Sequence, residues 1–168
     1  LGKIGIEITV HHTIQDNKSK IIFELEKLSE MASTVIVTGG LGPTHDDVTA
    51  SAFYSYFEDS PIFDENYWND LTDRFSKINY KIPDVNRSQA MKPEKGEVIQ
   101  NELGSARGLY FKKGGCHIFA LPGVPKEMKA MLNNSVIPIL KNQVTNPLIT
   151  RTIRTTGIPE SALAEKIN

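Results

Sequence analysis

The stretch TVIVTGGLGPTHDD, residues 34–47, decides the fold. Its first five residues are an apolar, β-branched run, which is typical of a strand buried on both faces of a parallel sheet. The glycines that follow cannot continue a strand, and apolar residues then recur at helical spacing: Val48, Ala52, Phe53 and Tyr56. The sequence therefore predicts a strand, a glycine turn and the N-terminus of a helix, in that order.

A strand and a helix are predicted upstream of this stretch. Residues 5–10 alternate apolar and polar side chains, which is typical of a strand near a sheet edge. Asp16 and Asn17 can each cap a helix. Apolar side chains then recur at helical spacing: Ile21, Ile22, Leu25, Leu28 and Met31. The first third of the chain is therefore predicted to run strand, helix, strand.

The pattern downstream predicts a further helix and a hairpin. The helix carries Tyr67, Trp68, Leu71, Phe75 and Ile78. Residues 82–97 are rich in Pro, Asn, Ser and Lys, which indicates a long connection. Residues 109–111 and 116–120 flank Gly114 and Gly115, which supply the positive φ that a tight β-hairpin needs.

A second strand-to-helix turn is predicted at residues 121–125. Pro125 suits the first position of the following helix, whose inward face carries Met128, Met131 and Leu132. Pro138 is expected to limit that helix. Residues 148–156 have strand character, and residues 160–167 begin another helix.

The alternation of strands and helices, with glycine-rich turns after strands, predicts an α/β fold. We expect a three-layer α/β/α sandwich with a mostly parallel sheet and a β-hairpin. In such sheets, ligands bind outside the carboxyl ends of the strands.

Composition limits the classes of function. The 168 residues include 19 Lys and Arg against 20 Asp and Glu, for a net charge of −1, so we expect no nucleic-acid partner. The apolar runs are far shorter than the roughly 20 residues of a membrane span, so we expect no membrane partner and a cytoplasmic location. Because the chain begins at Leu1 rather than Met, we expect it to be part of a longer chain.

The glycine turn is a candidate anion site, because glycines expose backbone N–H groups and the next helix adds its positive dipole end. It is not a Walker loop, since no Lys-Ser/Thr follows. Nor is it a dinucleotide fingerprint, since His45 stands where the third glycine belongs. Two interpretations stay open: the glycines bind a mononucleotide or sugar phosphate, or they only make a tight turn and bind no ligand.

Asp46 and Asp47 stand directly after this turn. Two carboxylates beside a phosphate favour a bridging divalent metal such as Mg²⁺, so we expect one metal ligand and one helix cap. Asp16 follows a predicted strand at the same sheet edge, although as a single Asp at a helix start it suits a capping role better. His45 is either a proton donor or a solvent-facing side chain. Cys116 falls in an apolar strand, where a buried thiol is inert packing.

Four segments resemble the competence/damage-inducible protein A (CinA) family, which belongs to the wider molybdopterin-binding, MoaB/MogA-like fold. They are residues 38–49; Asn86 and residues 88–93 with Asn101, Gly104 and Gly108; residues 121–128; and residues 154–161. Arg107 departs from the family, in which proline is usual at this position. The resemblance covers nearly the whole chain.

This resemblance implies hydrolysis of the pyrophosphate of ADP-ribose to AMP and ribose 5-phosphate with a divalent metal, Mg²⁺ or Co²⁺. It implies Asp47, Asp16 and Asp46 as catalytic residues, with Asp46 and Asp47 as metal ligands. The implied substrate-binding residues are Thr38, Gly39, Gly40, Gly42, Pro43, Thr44, Gln89, Pro122, Gly123 and Glu127. We expect a small nucleotide, ADP-ribose or AMP, as the partner, and a homo-oligomer.

The resemblance also implies a nucleotide- or pterin-binding domain over residues 1–147 and the start of a small α/β domain over residues 148–168. The family's first strand and helix would precede Leu1. Two other functions stay open: a molybdopterin- or nucleotide-binding module without hydrolysis, and an assembly domain whose pocket is only structural.

Overall fold

The computed structural model describes residues 1–2, 5–142 and 154–167. The helices are α1 (Lys18–Met31), α2 (Thr49–Tyr56), α3 (Glu65–Ser76), α4 (Pro125–Met131), α5 (Ile137–Lys141) and α6 (Glu160–Ile167). The strands are β1 (Thr34–Thr38), β2 (Pro61–Phe63), β3 (Met91–Pro93), β4 (Glu97–Ile99), β5 (Gly108–Lys113) and β6 (Cys116–Leu121). A 3₁₀ helix spans Asp84–Ala90, and a π-helical turn, Leu132–Val136, joins α4 to α5.

The main sheet has the strand order β1-β6-β5-β4, and β2 and β3 form a separate antiparallel pair. In the main sheet β1 runs parallel to β6, whereas β6 with β5 and β5 with β4 are antiparallel. The prediction of a mostly parallel sheet is therefore wrong for the described strands, because the hairpin of β5 and β6 runs through the middle of the sheet.

Helices cover both faces of the main sheet. Since side chains alternate along a strand, Leu109 and Phe111 of β5 pack on the face that α1 and α2 cover. Tyr110, between them, packs on the opposite face against residues of the α4 to α5 segment, such as Met131 and Leu140. This arrangement confirms the three-layer α/β/α sandwich.

The hairpin and the first buried strand were predictable, and both are confirmed. Gly114 and Gly115 have φ angles of +56° and +85° and form a two-residue turn between paired Lys113 and Cys116. β1 spans the predicted residues, although only Val35 in it is fully buried.

Residues 5–10 do not form the predicted strand. Gly5 instead closes a turn in which its N–H donates to the carbonyl oxygen of Gly2 at 3.1 Å, and Ile8 and Val10 are exposed. Alternation sets which side chains share a face, but a strand also needs a hydrogen-bonded neighbour. No other segment in the described part of the chain supplies that neighbour.

Residues 82–97 are more ordered than the predicted connection. They contain the 3₁₀ helix Asp84–Ala90, then β3 and the start of β4. Ile82 and Ala90 pack with Tyr67 and Leu71 of α3 in a cluster that we call the α3 cluster. Short strands of three residues carry too little periodicity to be recognised in sequence.

Pro138 does not end the helix that begins at Pro125. Pro125 starts α4 as predicted, and Met131 is buried below it. Leu132–Val136 then widens into a π-helical turn, and Pro138 lies in the first turn of α5. Proline is accommodated here because the π-helical turn before it, in which the Ile137 N–H donates to the Leu132 carbonyl, interrupts the regular α-helical hydrogen-bond pattern.

The C-terminal predictions are only partly covered. Helix α6 confirms the helix predicted over 160–167, and residues 154–156 form no strand. The rest of the strand predicted over 148–156, and the proposed domain boundary at 147, lie outside the described residues. No helix in the described ranges has the length and apolarity to cross a membrane.

Candidate functional site

The candidate site lies at the carboxyl ends of β1 and β6. Thr38 and Leu121 are paired at the ends of these parallel strands, so the turns that follow them meet. The Gly39 N–H donates to the carbonyl oxygen of Leu121 at 2.9 Å. A Cβ on Gly123 would lie 3.3 Å from Cα of Gly39, so the two turns pack backbone against backbone.

The glycine turn presents free backbone donors. Gly39 and Gly40 have φ angles of +96° and +67°, a region that other residues rarely adopt. A Cβ on Gly40 would overlap Oγ1 of Thr49, whose N–H donates to the Gly40 carbonyl at 3.0 Å. Within the described residues the N–H groups of Gly40 and Leu41 have no hydrogen-bond partner. The turn therefore offers two amides to an anion.

Asp47 is held by a short loop that closes on itself. Thr44 donates to Oδ2 of Asp47 through its hydroxyl at 2.6 Å and its N–H at 3.1 Å, and the Asp47 N–H donates to the Thr44 carbonyl at 3.1 Å. Burial would raise the pKa of Asp47, but the Thr44 hydroxyl and the amides of Gly42 and Thr44 lower it below its usual value. Asp47 is therefore ionised at neutral pH.

Neither Asp46 nor Asp47 caps a helix, so the expected cap is a wrong prediction. The N-cap of α2 is Val48, whose side chain makes no capping bond. Asp47 uses its carboxylate on Thr44 instead, which lies three residues before it. At α1 the cap is Asn17, whose Oδ1 accepts from the Lys20 N–H at 3.1 Å.

A cavity of about 380 Å³ opens in front of the two turns. Seven of the residues that line it were predicted as site residues: Gly40, Gly42, Asp47, Gln89, Pro122, Gly123 and Glu127. Its size falls in the range of small-molecule sites, which is about 300–1,000 Å³. We call it the glycine-turn cavity.

The other predicted site residues do not line this cavity: Thr38, Gly39, Pro43, Thr44, Asp46 and Asp16. Gly39 and Thr44 lie outside the lining but hydrogen-bond to Leu121 and Asp47, respectively. The Asp46 side chain is 78% exposed and pairs with Nε2 of His45 at 3.0 Å. Asp16 is also exposed. The structure thus brings only Asp47 of the three predicted catalytic carboxylates to the cavity.

Glu127 and Gln89 line the same cavity from α4 and the 3₁₀ helix, and we call this pair the second wall. Glu127 lies in the first turn of α4, and its Oε2 accepts from Nδ2 of Asn101 at 2.7 Å. Gln89 lies at the end of the 3₁₀ helix, and its Oε1 accepts from Nδ2 of Asn86 at 2.9 Å. The amide of buried Asn101 therefore orients Glu127, and the amide of half-buried Asn86 orients Gln89.

Four residues of the cavity were not predicted: Leu41, Ser105, Ala106 and Val124. Leu41 and Val124 lie in the two turns that follow β1 and β6, residues 39–47 and 122–124, which we call the signature turns, so predicted site residues flank both of them. Ser105 and Ala106 reach the cavity through contacts distant in sequence. The Tyr67 hydroxyl donates to the Ser105 carbonyl at 2.9 Å, and Asn101 Nδ2 donates to the Ala106 carbonyl at 2.9 Å.

Family comparisons agree with this geometry. The model of the family described as "Probable molybdopterin binding domain" matches residues 1–142. The chain belongs to this family. Both signature turns, and all the residues that line the cavity, fall inside the matched residues. The shared description names a ligand class but no reaction.

Proteins similar to this family member are named as competence-damage inducible or CinA-like proteins. A "Putative competence-damage inducible protein" from Clostridium botulinum (strain 657 / Type Ba4) is 36% identical over 168 residues, 100% of this chain and 41% of that protein. A "CinA-like protein" from Flavobacterium psychrophilum is 41% identical over 169 residues, 99% of this chain and 40% of that protein. The chain spans about two fifths of the length of these curated relatives.

A solved relative supports the fold of this family member. The crystal structure of the protein CinA with unknown function from Thermoplasma acidophilum is 30% identical and superposes with a TM-score of 0.62. The match covers 74% of this chain and 72% of that one. The α/β class and the resemblance to CinA proteins are therefore confirmed.

Proposed function

We propose that this domain hydrolyses the pyrophosphate bond of ADP-ribose to AMP and ribose 5-phosphate, assisted by a divalent metal. The observation that carries the proposal is that the free N–H groups of Gly40 and Leu41 share one cavity with the ionised carboxylate of Asp47. Amides favour a phosphate, whereas a carboxylate beside a phosphate requires a cation or a water molecule between them.

Hydrolysis adds one water molecule across the P–O–P bridge. The water oxygen forms a bond to one phosphorus, the bridging oxygen leaves with the other phosphate, and the two water protons are shared between product and solvent. Charge on the phosphoryl oxygens is the main barrier to this step, and preorganised N–H donors reduce it. The amides of Gly40 and Leu41 would hold phosphoryl oxygens, and Asp47 would orient the water.

The carboxylates present fit a divalent metal only when the substrate helps to bind it. No group of three or more metal-ligating side chains occurs among the described residues. Mg²⁺ is commonly held by one or two carboxylates together with substrate phosphates and water, so Asp47 alone provides a sufficient protein ligand. A bound metal would neutralise phosphate charge. We retain Asp47 as the proposed ligand, with Mg²⁺ or Co²⁺ as the ion.

The test is AMP release from ADP-ribose. The protein is incubated with ADP-ribose and Mg²⁺ or Co²⁺, and AMP is quantified by chromatography. Because a positioned acid or base contributes about 10²–10⁴-fold, Asp47→Asn should release AMP at least about 100 times more slowly. The matched control is Asp70→Asn, an exposed carboxylate on α3. Equal rates for Asp47→Asn and wild type would contradict the proposal.

A binding module without hydrolysis is the second candidate. It is favoured by Oδ2 of Asp47, which already accepts two bonds from Thr44, and by the family description. Calorimetry with AMP and with molybdopterin tests this candidate. Binding of either ligand to the wild type, with no AMP released from ADP-ribose, would favour the module over the hydrolase. A nucleotide ligand, a cytoplasmic location and a homo-oligomer also remain proposals.

A further inference from the structure

The second wall of the glycine-turn cavity, Glu127 and Gln89, carries one unused acceptor and one unused donor. Oε1 of Glu127 has no hydrogen-bond partner within the described residues, because only Oε2 is bonded to Asn101. Nε2 of Gln89 likewise has none, because only Oε1 is bonded to Asn86. Gln89 is only 7% exposed and still lines the cavity. Among the described residues, Nε2 of Gln89 is not one of the buried side-chain atoms that lack a partner, so this amide is accessible to a ligand or to water.

Asn101 fixes the direction of the Glu127 carboxylate. It is 4% exposed and uses its full bonding capacity. Its Nδ2 donates to Ala106 O at 2.9 Å and Glu127 Oε2 at 2.7 Å, and its Oδ1 accepts from the N–H groups of Leu103 and Gly104, both at 3.0 Å. A Cβ on Gly104 would also overlap the Glu127 carboxylate, so the carboxylate is packed from behind.

The pairing of an acceptor with a donor selects the chemistry of the ligand. A phosphate oxygen at neutral pH only accepts, so it suits Gln89 but is repelled by Glu127. An exocyclic amine only donates, so it suits Glu127 but not the Gln89 amide. A hydroxyl donates and accepts, and the neighbouring hydroxyls of a ribose offer both properties to both side chains.

We propose that Glu127 and Gln89 bind the ribose hydroxyls of a phosphorylated ribose whose phosphate lies at the amides of Gly40 and Leu41. Asn101 is the positioning residue that keeps Glu127 turned into the cavity. This inference rests on the proposed function, since it names the part of the proposed nucleotide ligand that contacts Glu127 and Gln89. It holds equally for a hydrolase and for a binding module.

The experiment compares ligands with and without these hydroxyls. Calorimetry measures the Kd of AMP and 2′,3′-dideoxy-AMP, and of ribose 5-phosphate and 2-deoxyribose 5-phosphate. Because a hydrogen bond to a charged group contributes enough for about a tenfold change in Kd or more, each deoxy ligand should bind at least about ten times more weakly. The pair that shows this loss identifies which ribose occupies the wall.

Glu127→Gln tests the acceptor. The variant should bind AMP more weakly and lose most of the discrimination against the dideoxy ligand, because a neutral amide oxygen is a weaker acceptor. The matched control is Glu102→Gln, an exposed carboxylate close in sequence to Asn101, which should leave both Kd values unchanged. Thermal unfolding of each variant establishes that it is folded.

Asn101→Asp tests the positioning role. It keeps an oxygen for the Leu103 and Gly104 amides but sets a carboxylate against Glu127, so discrimination should fall. Adding Glu127→Gln restores an amide-to-carboxylate bond between the two positions. The double variant should therefore recover part of the discrimination, which a purely structural role of Asn101 does not explain.

The outcomes separate this inference from the proposed function. If the wild type binds the ribose and deoxyribose ligands with equal affinity, Glu127 and Gln89 do not bind ribose hydroxyls. AMP release in the same experiment would still support the hydrolase. If the wild type discriminates between these ligands but releases no AMP, ribose binding by Glu127 and Gln89 is supported and the hydrolase proposal is contradicted. Failure of the wild type to bind any of the four ligands overturns both.

Discussion

At the residue scale, Asp59 binds backbone N–H groups from two separate segments of the chain, which its local sequence does not predict. It is 8% exposed, and its carboxylate accepts from four N–H groups, those of Ser60, Glu94, Lys95 and Gly96. Burial alone would raise the pKa of Asp59, but the four amides lower it. One charge therefore holds the ends of β2 and β3 together.

Asp59→Asn should lower the free energy of unfolding by about 1–3 kcal/mol at pH 7, because buried N–H groups lose a charged acceptor. The folded-state pKa is depressed, so the stabilisation is complete above the unfolded pKa of about 3.9 and is lost as pH falls through the folded value. Urea unfolding at pH 7 and at pH 3 should show a smaller difference between variant and wild type at pH 3.

The control for this pH effect is Asp73→Asn, an exposed carboxylate on α3. It should change stability by no more than about 0.5 kcal/mol at either pH. A gap between Asp59→Asn and wild type that stays constant down to pH 3 would show that the carboxylate charge is not what stabilises these amides.

At the element scale, the glycine turn contains two positions with positive φ and different surroundings. Both Gly39 and Gly40 have positive φ, but only at Gly40 would a Cβ collide with Thr49, at the start of α2. At Gly39 a Cβ would meet nothing within 4 Å. The geometry of α2 relative to the turn therefore depends on one missing methyl group.

Gly39→Ala and Gly40→Ala separate strain from collision. Each substitution should lower the free energy of unfolding by about 1–3 kcal/mol, because alanine is strained in a left-handed backbone conformation. The loss should be larger for Gly40→Ala, because Thr49 must also move. Chemical denaturation gives the two values, and AMP binding shows whether the turn amides have shifted. Equal stability losses would mean that α2 adjusts freely and does not define the turn.

The elements that sequence predicted are those whose signal is local. β1 is a continuous β-branched run, and the hairpin turn needs two positive φ angles that Gly114 and Gly115 supply. Residues 5–10 carry equally clear alternation, yet pairing depends on a partner elsewhere in the molecule. The 3₁₀ helix, β2 and β3 are too short to show a period, so only long-range contacts define them.

The same distinction applies to the candidate site. The glycine turn, Pro122, Gly123 and Glu127 lie in contiguous motifs and were found. Ser105 and Ala106 were missed because Tyr67 and Asn101 place them from other parts of the chain. Asp46 was predicted beside Asp47, but adjacent residues point in different directions in a turn, and Asp46 faces solvent.

At the scale of the whole molecule, Arg107 joins the α3 cluster to the main sheet. Its side chain is 4% exposed and donates to Oδ2 of Asp64, the N-cap of α3, at 2.8 Å. The guanidinium also lies 3.8 Å from the ring centre of Tyr67. Burial would raise the pKa of Asp64, but the Arg107 hydrogen bond and charge lower it. The ion pair is thus the electrostatic link between two parts of the core.

Arg107→Ala should destabilise the protein by about 1–3 kcal/mol, because the half-buried Asp64 carboxylate loses its hydrogen bond to the buried guanidinium. Hydrogen exchange should show the loss first in α3 and the 3₁₀ helix, while the amides of β5 and β6 stay protected. Lys92→Ala is the control, since Lys92 lies 3.9 Å from the same carboxylate and is far more exposed. Uniform loss of protection across all elements would show that the α3 cluster does not unfold separately.

The close backbone approach of Gly39 and Gly123 makes the two signature turns a single structural unit. A side chain accepted in one turn must be accommodated by the other, although the two are far apart along the chain. Exchange of one turn for that of a distant relative should therefore fail where exchange of both succeeds. We therefore expect the two turns to tolerate substitution as one unit rather than separately.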